Sequence, residues 1–255
     1  MDVPGLRYEV TDGVAAIVVD RPEKRNALTS EMYEALRRNL LLAELDDAVD
    51  LITITATGDE AFVPGGDLSQ GSDAWSADLV GKLAAAEGAF PYQTFERLSK
   101  LVITAVNGRC QAAGLIIVLM SDLVLASDHA RFRVPELLRG LVDPFVPVRL
   151  PATIGVAKAR WLMFTAEEID ADGAEQLGLV GKVVPHADLG TALAETVAAV
   201  RKTAPGARAR YKKMVNQALP HIPMDDFLLG MRSPEAVEGM TAFKEKRPPN
   251  WVREP

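Results

Sequence analysis

AVNGRCQAAGLIIVLMSDLVLAS (residues 105–127) has the pattern of a strand that stops short and re-enters as an apolar helix. The β-branched run Leu101-Val102-Ile103-Thr104-Ala105-Val106 leads in, Gly108 breaks it, and the small residues Ala112, Ala113 and Gly114 precede an apolar segment from Leu115 to Met120. A strand that ends in small residues and enters a helix leaves unpaired N–H groups at the helix start, where the dipole also favours negative charge. Small side chains let a ligand come close to those donors. The stretch therefore reads as one half of an oxyanion-binding device. On spacing alone, an ordinary buried strand–turn–helix is the more economical reading, since α/β proteins use such units throughout.

Outward from it, the upstream loop Ala61-Phe62-Val63-Pro64-Gly65-Gly66-Asp67-Leu68 is the natural second half. Pro64 fixes one dihedral, the two glycines permit positive φ or close backbone approach, and Asp67 can cap a following helix. Further upstream, Leu6–Val10 and Val14–Asp20 read as strands about a Thr11-Asp12-Gly13 turn. The Arg21-Pro22-Glu23-Lys24-Arg25-Asn26-Ala27-Leu28 loop, with three cations in five positions, is either a solvated turn or a phosphate-contacting loop. Thr29 or Ser30 can cap a helix whose buried stripe is Met32, Leu36, Leu40 and Ala43, and Leu51–Ala56 is a short strand. Strand, helix, strand in that order predicts parallel pairing through a crossover.

Downstream of the glycine loop, Ser76–Lys100 reads as mostly helical with a break at Gly88 and Pro91, and the Ala/Gly/Ser/Asp-rich segment 72–90 as mobile. Ala130–Val134 is a short strand. Pro135-Glu136 opens a helix, with proline and glutamate where a first turn favours them. Gly140–Pro147 is a loop holding Asp143. Helices over Ile154–Phe164 and Asp170–Leu177, a strand over Gly181–Val184 and helices from Leu189 onward complete the chain. The basic run Arg201 to Lys213 reads as solvated helix face.

Composition sets the outer bounds. At 255 residues, 48% hydrophobic and 25% charged, the chain is an ordinary globular protein able to bury a large core. Its formal charge of −7 argues against general nucleic-acid binding. The single Cys110 excludes an internal disulfide, and the three histidines, at 129, 186 and 221, lack metal-ligand spacing. No apolar run approaches a membrane span and no secretory leader is evident, so a soluble cytoplasmic protein is expected.

Taken together, RPEKRNAL at 21–28, FVPGGDL at 62–68, AVNG…AAG…SDLVLAS at 105–127 and FRVPELLRGL at 132–141 resemble the crotonase superfamily, also called the enoyl-CoA hydratase/isomerase family. GAEQLGLV at 173–180 and EGMTAFKEKRPP at 238–249 extend the resemblance over nearly the whole chain. It implies an α/β spiral of ββα units over residues 1–188 that binds acyl-CoA thioesters. It also implies a helical region over 189–255 that packs homotrimers or hexamers. Coenzyme A would be part of the substrate, with no other cofactor and no metal.

By position the resemblance puts the two oxyanion donors on the N–H groups of Gly66 and Ala113, the latter where the family most often has glycine. Of the hydratase pair of glutamates, the first falls on Ile116 and the second on Glu136. A single carboxylate favours moving a double bond over adding water, because one group can remove a proton and return it elsewhere. Asp143 is a second candidate, one residue short of the place where some relatives carry a working aspartate. Lys24, Arg25 and Ala27 fall where the family contacts the nucleotide and pantetheine, and Lys246 or Arg247 where a neighbour's phosphates are reached. The rival readings are a homologue that binds coenzyme A without efficient catalysis, and a thioester hydrolase or carbon–carbon lyase on the same fold.

Overall fold

The computed structural model describes residues 2–67, 91–223 and 233–253. In chain order its strands are β1 (Leu6–Thr11), β2 (Val14–Val19), β3 (Leu51–Ala56), β4 (Ala61–Val63), β5 (Leu101–Val106), β6 (Arg109–Gln111), β7 (Leu123–Ser127), β8 (Arg131–Arg133), β9 (Ile169–Asp170) and β10 (Lys182–Val184). The α-helices are α1 (Ser30–Leu45), α2 (Pro91–Arg97), α3 (Ala113–Met120), α4 (Val146–Ile154), α5 (Val156–Thr165), α6 (Ala171–Gln176), α7 (Leu189–Arg201), α8 (Pro205–Ala218) and α9 (Pro234–Glu245).

The strands form two sheets, one in the order β1-β2-β3-β5-β7-β10 and one in the order β4-β6-β8-β9. After the first hairpin the chain visits them alternately: β3, β5 and β7 go to the large sheet, and β4, β6 and β8 to the small one. Each circuit thus lays down two strands before returning through helix or turn, which is the ββα spiral expected from the resemblance. Pairing is parallel except for β1 with β2 and β8 with β9.

Local chemistry explains the entry. Asp12 and Gly13 both hold positive φ, as a two-residue hairpin turn of right twist requires, and β1 and β2 pair over their full length. The Thr29 hydroxyl accepts from the Met32 N–H to start α1, and Met32, Leu36, Leu40 and Ala43 are buried as their spacing predicts. Along β3, Ile52 and Ile54 enter the main core between sheet and helices, whereas Leu51 faces the other way. On that second face Leu51, Ile103, Ala105 and Leu125 pack against Leu189, Ala192 and Val197 of α7. Period-two alternation thereby supplies both faces of the large sheet with apolar cover.

Some expectations give way. The helix expected from Pro135 is a single 3-10 turn, Glu136–Arg139, because Gly140 takes a left-handed φ of +61° and closes it at once. The helix expected over Ile154–Phe164 is split at Gly155, whose φ of +82° ends α4 and starts α5. Lys212, read as part of a solvated basic face, is buried: its Nζ donates to Lys100 O at 2.9 Å and to Asp122 Oδ2 at 2.7 Å, fastening α8 to the starts of β5 and β7. Of the helix read over Ser76–Lys100, Pro91–Arg97 is formed as α2. The rest of its N-terminal part, the segment 72–90 expected from the sequence to be mobile, and Leu68 lie outside the described residues. No described helix is long and apolar enough to cross a membrane.

Candidate active site

The small sheet brings the sequence-predicted residues into one row. β4, β6 and β8 are consecutive parallel strands, with Val63 opposite Cys110 and Cys110 opposite Phe132. Their chains therefore leave the sheet at the same edge, into Gly65-Gly66, Ala112-Ala113 and Pro135-Glu136 respectively. The carboxyl ends of neighbouring parallel strands are where α/β proteins gather ligand-binding groups.

The first two exits are in contact. A Cβ added to Gly65, which sits at φ +128°, would stand 3.3 Å from Ala112 Cβ. One added to Gly114 would stand only 2.2 Å from Val63 O, so α3 can seat against β4 only with glycine there. Ala112 holds φ +46° and ψ −116°, a conformation L residues avoid, at a cost of roughly 1–3 kcal/mol. It gives α3 no side-chain cap. Among the described residues neither the Gly66 nor the Ala113 N–H has a hydrogen-bond partner. Ile116, one turn into α3, is 6% exposed and forms apolar wall where the resemblance expects a glutamate.

The third exit carries acid. Glu136 is 8% exposed, and its Oε2 is buried without a hydrogen-bond partner among the described residues. Burial first, then the Asp143 carboxylate, pushes its pKa up to about 8, against the opposing pull of its own backbone N–H and of Arg139. A carboxyl group in this condition takes and releases protons near neutrality. Asp143 lies close enough to repel it, but both its oxygens serve the start of α4: Oδ1 accepts from Phe145 N at 3.1 Å and Oδ2 from Val146 N at 2.7 Å. Burial still raises the Asp143 pKa to about 6.

Two tyrosines beside this pair were not anticipated. Tyr33 of α1 and Tyr92 of α2 meet edge to face at 6.3 Å with their hydroxyls hydrogen-bonded, and Tyr92 meets Phe145 edge to face at 5.0 Å. Burial raises both phenols well above their usual range, and both feel the Glu136 charge. Tyr33 falls on the stripe of Leu36 and Leu40 at helical spacing, the one signal that could have found it.

The cationic loop is built from within. Consecutive left-handed residues, Arg25 at φ +53° and Asn26 at +62°, follow the 3-10 turn Pro22–Lys24. The buried Asn26 side chain accepts from Arg21 N and donates to Thr57 O and Ala61 O. Arg21 donates to Ala27 O at 3.1 Å and pairs with Asp67 at 2.6 Å. Leu28 N donates to Gly65 O and Asp67 N to Leu28 O, stitching this loop directly to the Gly65-Gly66 exit. Arg21 and Asn26 are thus the residues sequence reasoning passed over: they organise the loop. Lys24 and Arg25 remain exposed, Arg25 with Glu60 at 2.7 Å, while the Ala27 N–H is used by Lys24 O. Lys246 ends α9 in a left-handed conformation, and no hydrogen bond or ion pair joins it to these loops among the described residues. Arg247 is taken up by Glu238 and Glu245, each at 2.6 Å.

Among the described residues no group of His, Cys, Asp and Glu has the arrangement to hold a metal ion. Cys110 is buried, and burial raises its thiol pKa well above the usual range.

Known proteins share the sequence pattern and fold of this chain. Residues 9–254 match the family model described as enoyl-CoA hydratase/isomerase. A crotonyl-CoA hydratase of Syntrophomonas wolfei subsp. wolfei is 32% identical, with 99% of each chain covered. A short-chain-enoyl-CoA hydratase of Clostridium acetobutylicum is 30% identical, with 97% of each covered. Among solved structures, a carnitinyl-CoA hydratase from Mycobacterium avium superposes with a TM-score of 0.82 at 28% identity, over 98% of this chain and 99% of that one. The match spans the two sheets, the three strand exits and the helices beyond them, and on it the chain belongs to the enoyl-CoA hydratase/isomerase family of the crotonase superfamily.

Proposed function

We propose that the protein acts on acyl-CoA thioesters by stabilising an enolate, with Glu136 as its acid/base. The observation that carries this reading is the row of exits from neighbouring strands β4, β6 and β8, which carry two amides and a buried carboxylate oxygen without hydrogen-bond partners among the described residues. The thioester carbonyl oxygen takes the N–H groups of Gly66 and Ala113. Glu136 removes a proton from the adjacent carbon, and the charge that moves onto the oxygen meets donors already in place, each worth about 3 kcal/mol. For a 3-enoyl-CoA the same carboxyl group returns the proton to the γ-carbon, so the double bond moves and the carboxylate is regenerated. A pKa near 8 suits a group that must both take and give the proton at neutral pH.

Isomerisation is preferred to hydration. The names of the relatives favour water addition, but that reaction needs a second group to orient and activate water. Ile116 offers none, and the other carboxylate Glu136 feels, Asp143, already serves two amides of α4. Lys24 and Arg25 are assigned to the phosphates of coenzyme A and Ala27 to its pantetheine, with Lys246 reaching the nucleotide of a neighbouring subunit in a trimer.

The test is turnover of but-3-enoyl-CoA and of crotonyl-CoA in heavy water, followed by mass spectrometry. Bond migration with deuterium at the α- or γ-carbon, absent from Glu136→Gln, is expected. Fast hydration of crotonyl-CoA would overturn the isomerase preference, and unchanged exchange in the Gln variant would remove Glu136 from its role.

A further inference from the structure

The turn that carries Glu136 is held from outside by α9. A Cβ on Gly239 would stand 2.1 Å from Arg139 O, and one on Gly140 would stand 2.4 Å from Glu235 O, so helix and turn lie backbone against backbone. From the docked helix the Phe243 ring meets the guanidinium of Arg139, whose Cζ is 4.6 Å from the ring centroid. Arg139 Nε is buried and has no hydrogen-bond partner among the described residues. An aromatic face attracts a cation without neutralising it. The charge of Arg139 is therefore left to act on the carboxylate three residues earlier, which a 3-10 turn brings to the same side.

We infer that Arg139, held by Phe243 and by the glycine-seated α9, is a positioning residue that favours ionisation of the Glu136 carboxyl group against the effect of its burial, so that the C-terminal helix sets the working pH of the site. The inference rests on the proposed role of Glu136. Glu136 is faced by Asp143 from the segment before α4, by Tyr33 of α1, by Tyr92 of α2 and by Arg139 of its own turn. Arg139 is faced by Glu136 and, with like charge, by Arg133 of β8. Burial and Asp143 oppose ionisation of Glu136, and Arg139 is the cation that supports it.

The experiment is the pH profile of but-3-enoyl-CoA isomerisation and of its deuterium exchange. Arg139→Met is expected to move the midpoint of the rising limb upward by about one pH unit, the lower end of what an adjacent opposite charge is worth. The rate then falls about tenfold at neutral pH and recovers in alkali. Arg139→Lys returns the midpoint toward the wild-type value, and Phe243→Leu moves it in the same direction as Met but less. An unmoved midpoint in a folded Met variant, or a loss of rate equal at every pH, overturns the inference by reducing Arg139 to scaffolding. If Arg139→Met does not fold, Phe243→Leu decides alone, since it leaves the guanidinium present and only frees it. Full exchange in Glu136→Gln would instead strike the proposed base itself, which separates the two failures.

Discussion

Replacing Glu136 with Gln should make the protein more stable, and only above a definable pH. The carboxyl group titrates near 4.5 when exposed and near 8 in the folded chain, with burial the main cause. Below both values the group is protonated in either state and contributes nothing. Between them the unfolded chain gives up its proton while the folded chain keeps it. Folding then binds a proton, and stability falls as pH rises. Above pH 8 the penalty is complete. At 1.36 kcal/mol per pH unit, a gap of roughly 3.5 units sets a ceiling of about 5 kcal/mol. Glutamine has the same shape and no charge, so it escapes the penalty. Urea unfolding of both proteins at pH 4, 7 and 9 is the assay. The two should be nearly equal in acid, and the variant should lead by several kcal/mol in alkali while being inactive throughout. A lead that does not grow with pH, or none at all, would show that Glu136 is not held desolvated, and the argument for a near-neutral acid/base would fail with it.

Three other substitutions probe the frame. Gly114→Ala places a methyl 2.2 Å from Val63 O and should push α3 off β4, costing about 1–3 kcal/mol by chemical denaturation and most of the isomerase activity. Ala112→Gly removes a Cβ from a positive-φ position and should raise stability by about 1 kcal/mol with turnover retained, a loss of stability counting against strain at that residue. Lys212→Met strands the Asp122 carboxylate at the start of β7 and should cost about 3 kcal/mol in urea, and adding Asp122→Asn should recover part of it.

Much of this was legible in the sequence because it is written locally. The Asp12-Gly13 hairpin, the capped stripe of α1 and the β-branched runs of β3 and β5 each follow from a few adjacent residues. The glycine and alanine positions of the two amide exits were legible for the same reason. The strands β4 and β6 were not: at three residues each they show no period, and only their partners reveal them, whereas β8 lies within the strand read over Ala130–Val134. The 3-10 turn after Pro135 was misread as a helix although Gly140, four residues past Glu136, marked where it had to end. Burial of Lys212 depends on Asp122, 90 residues away, and no charge count along the chain could foresee it. Tyr33 and Tyr92 needed the packing of α1 on α2 before either could be placed beside the acids.

The bonds from Leu28 N to Gly65 O and from Asp67 N to Leu28 O, with the Arg21–Asp67 pair beside them, have a practical consequence for protein engineering. Segments 21–28 and 57–67 behave as one exchangeable cassette. Transplanting either by itself from a homologue would import a half whose hydrogen-bonding complement is missing, whereas a chimera that carries both should retain its architecture and inherit the donor's preferences together.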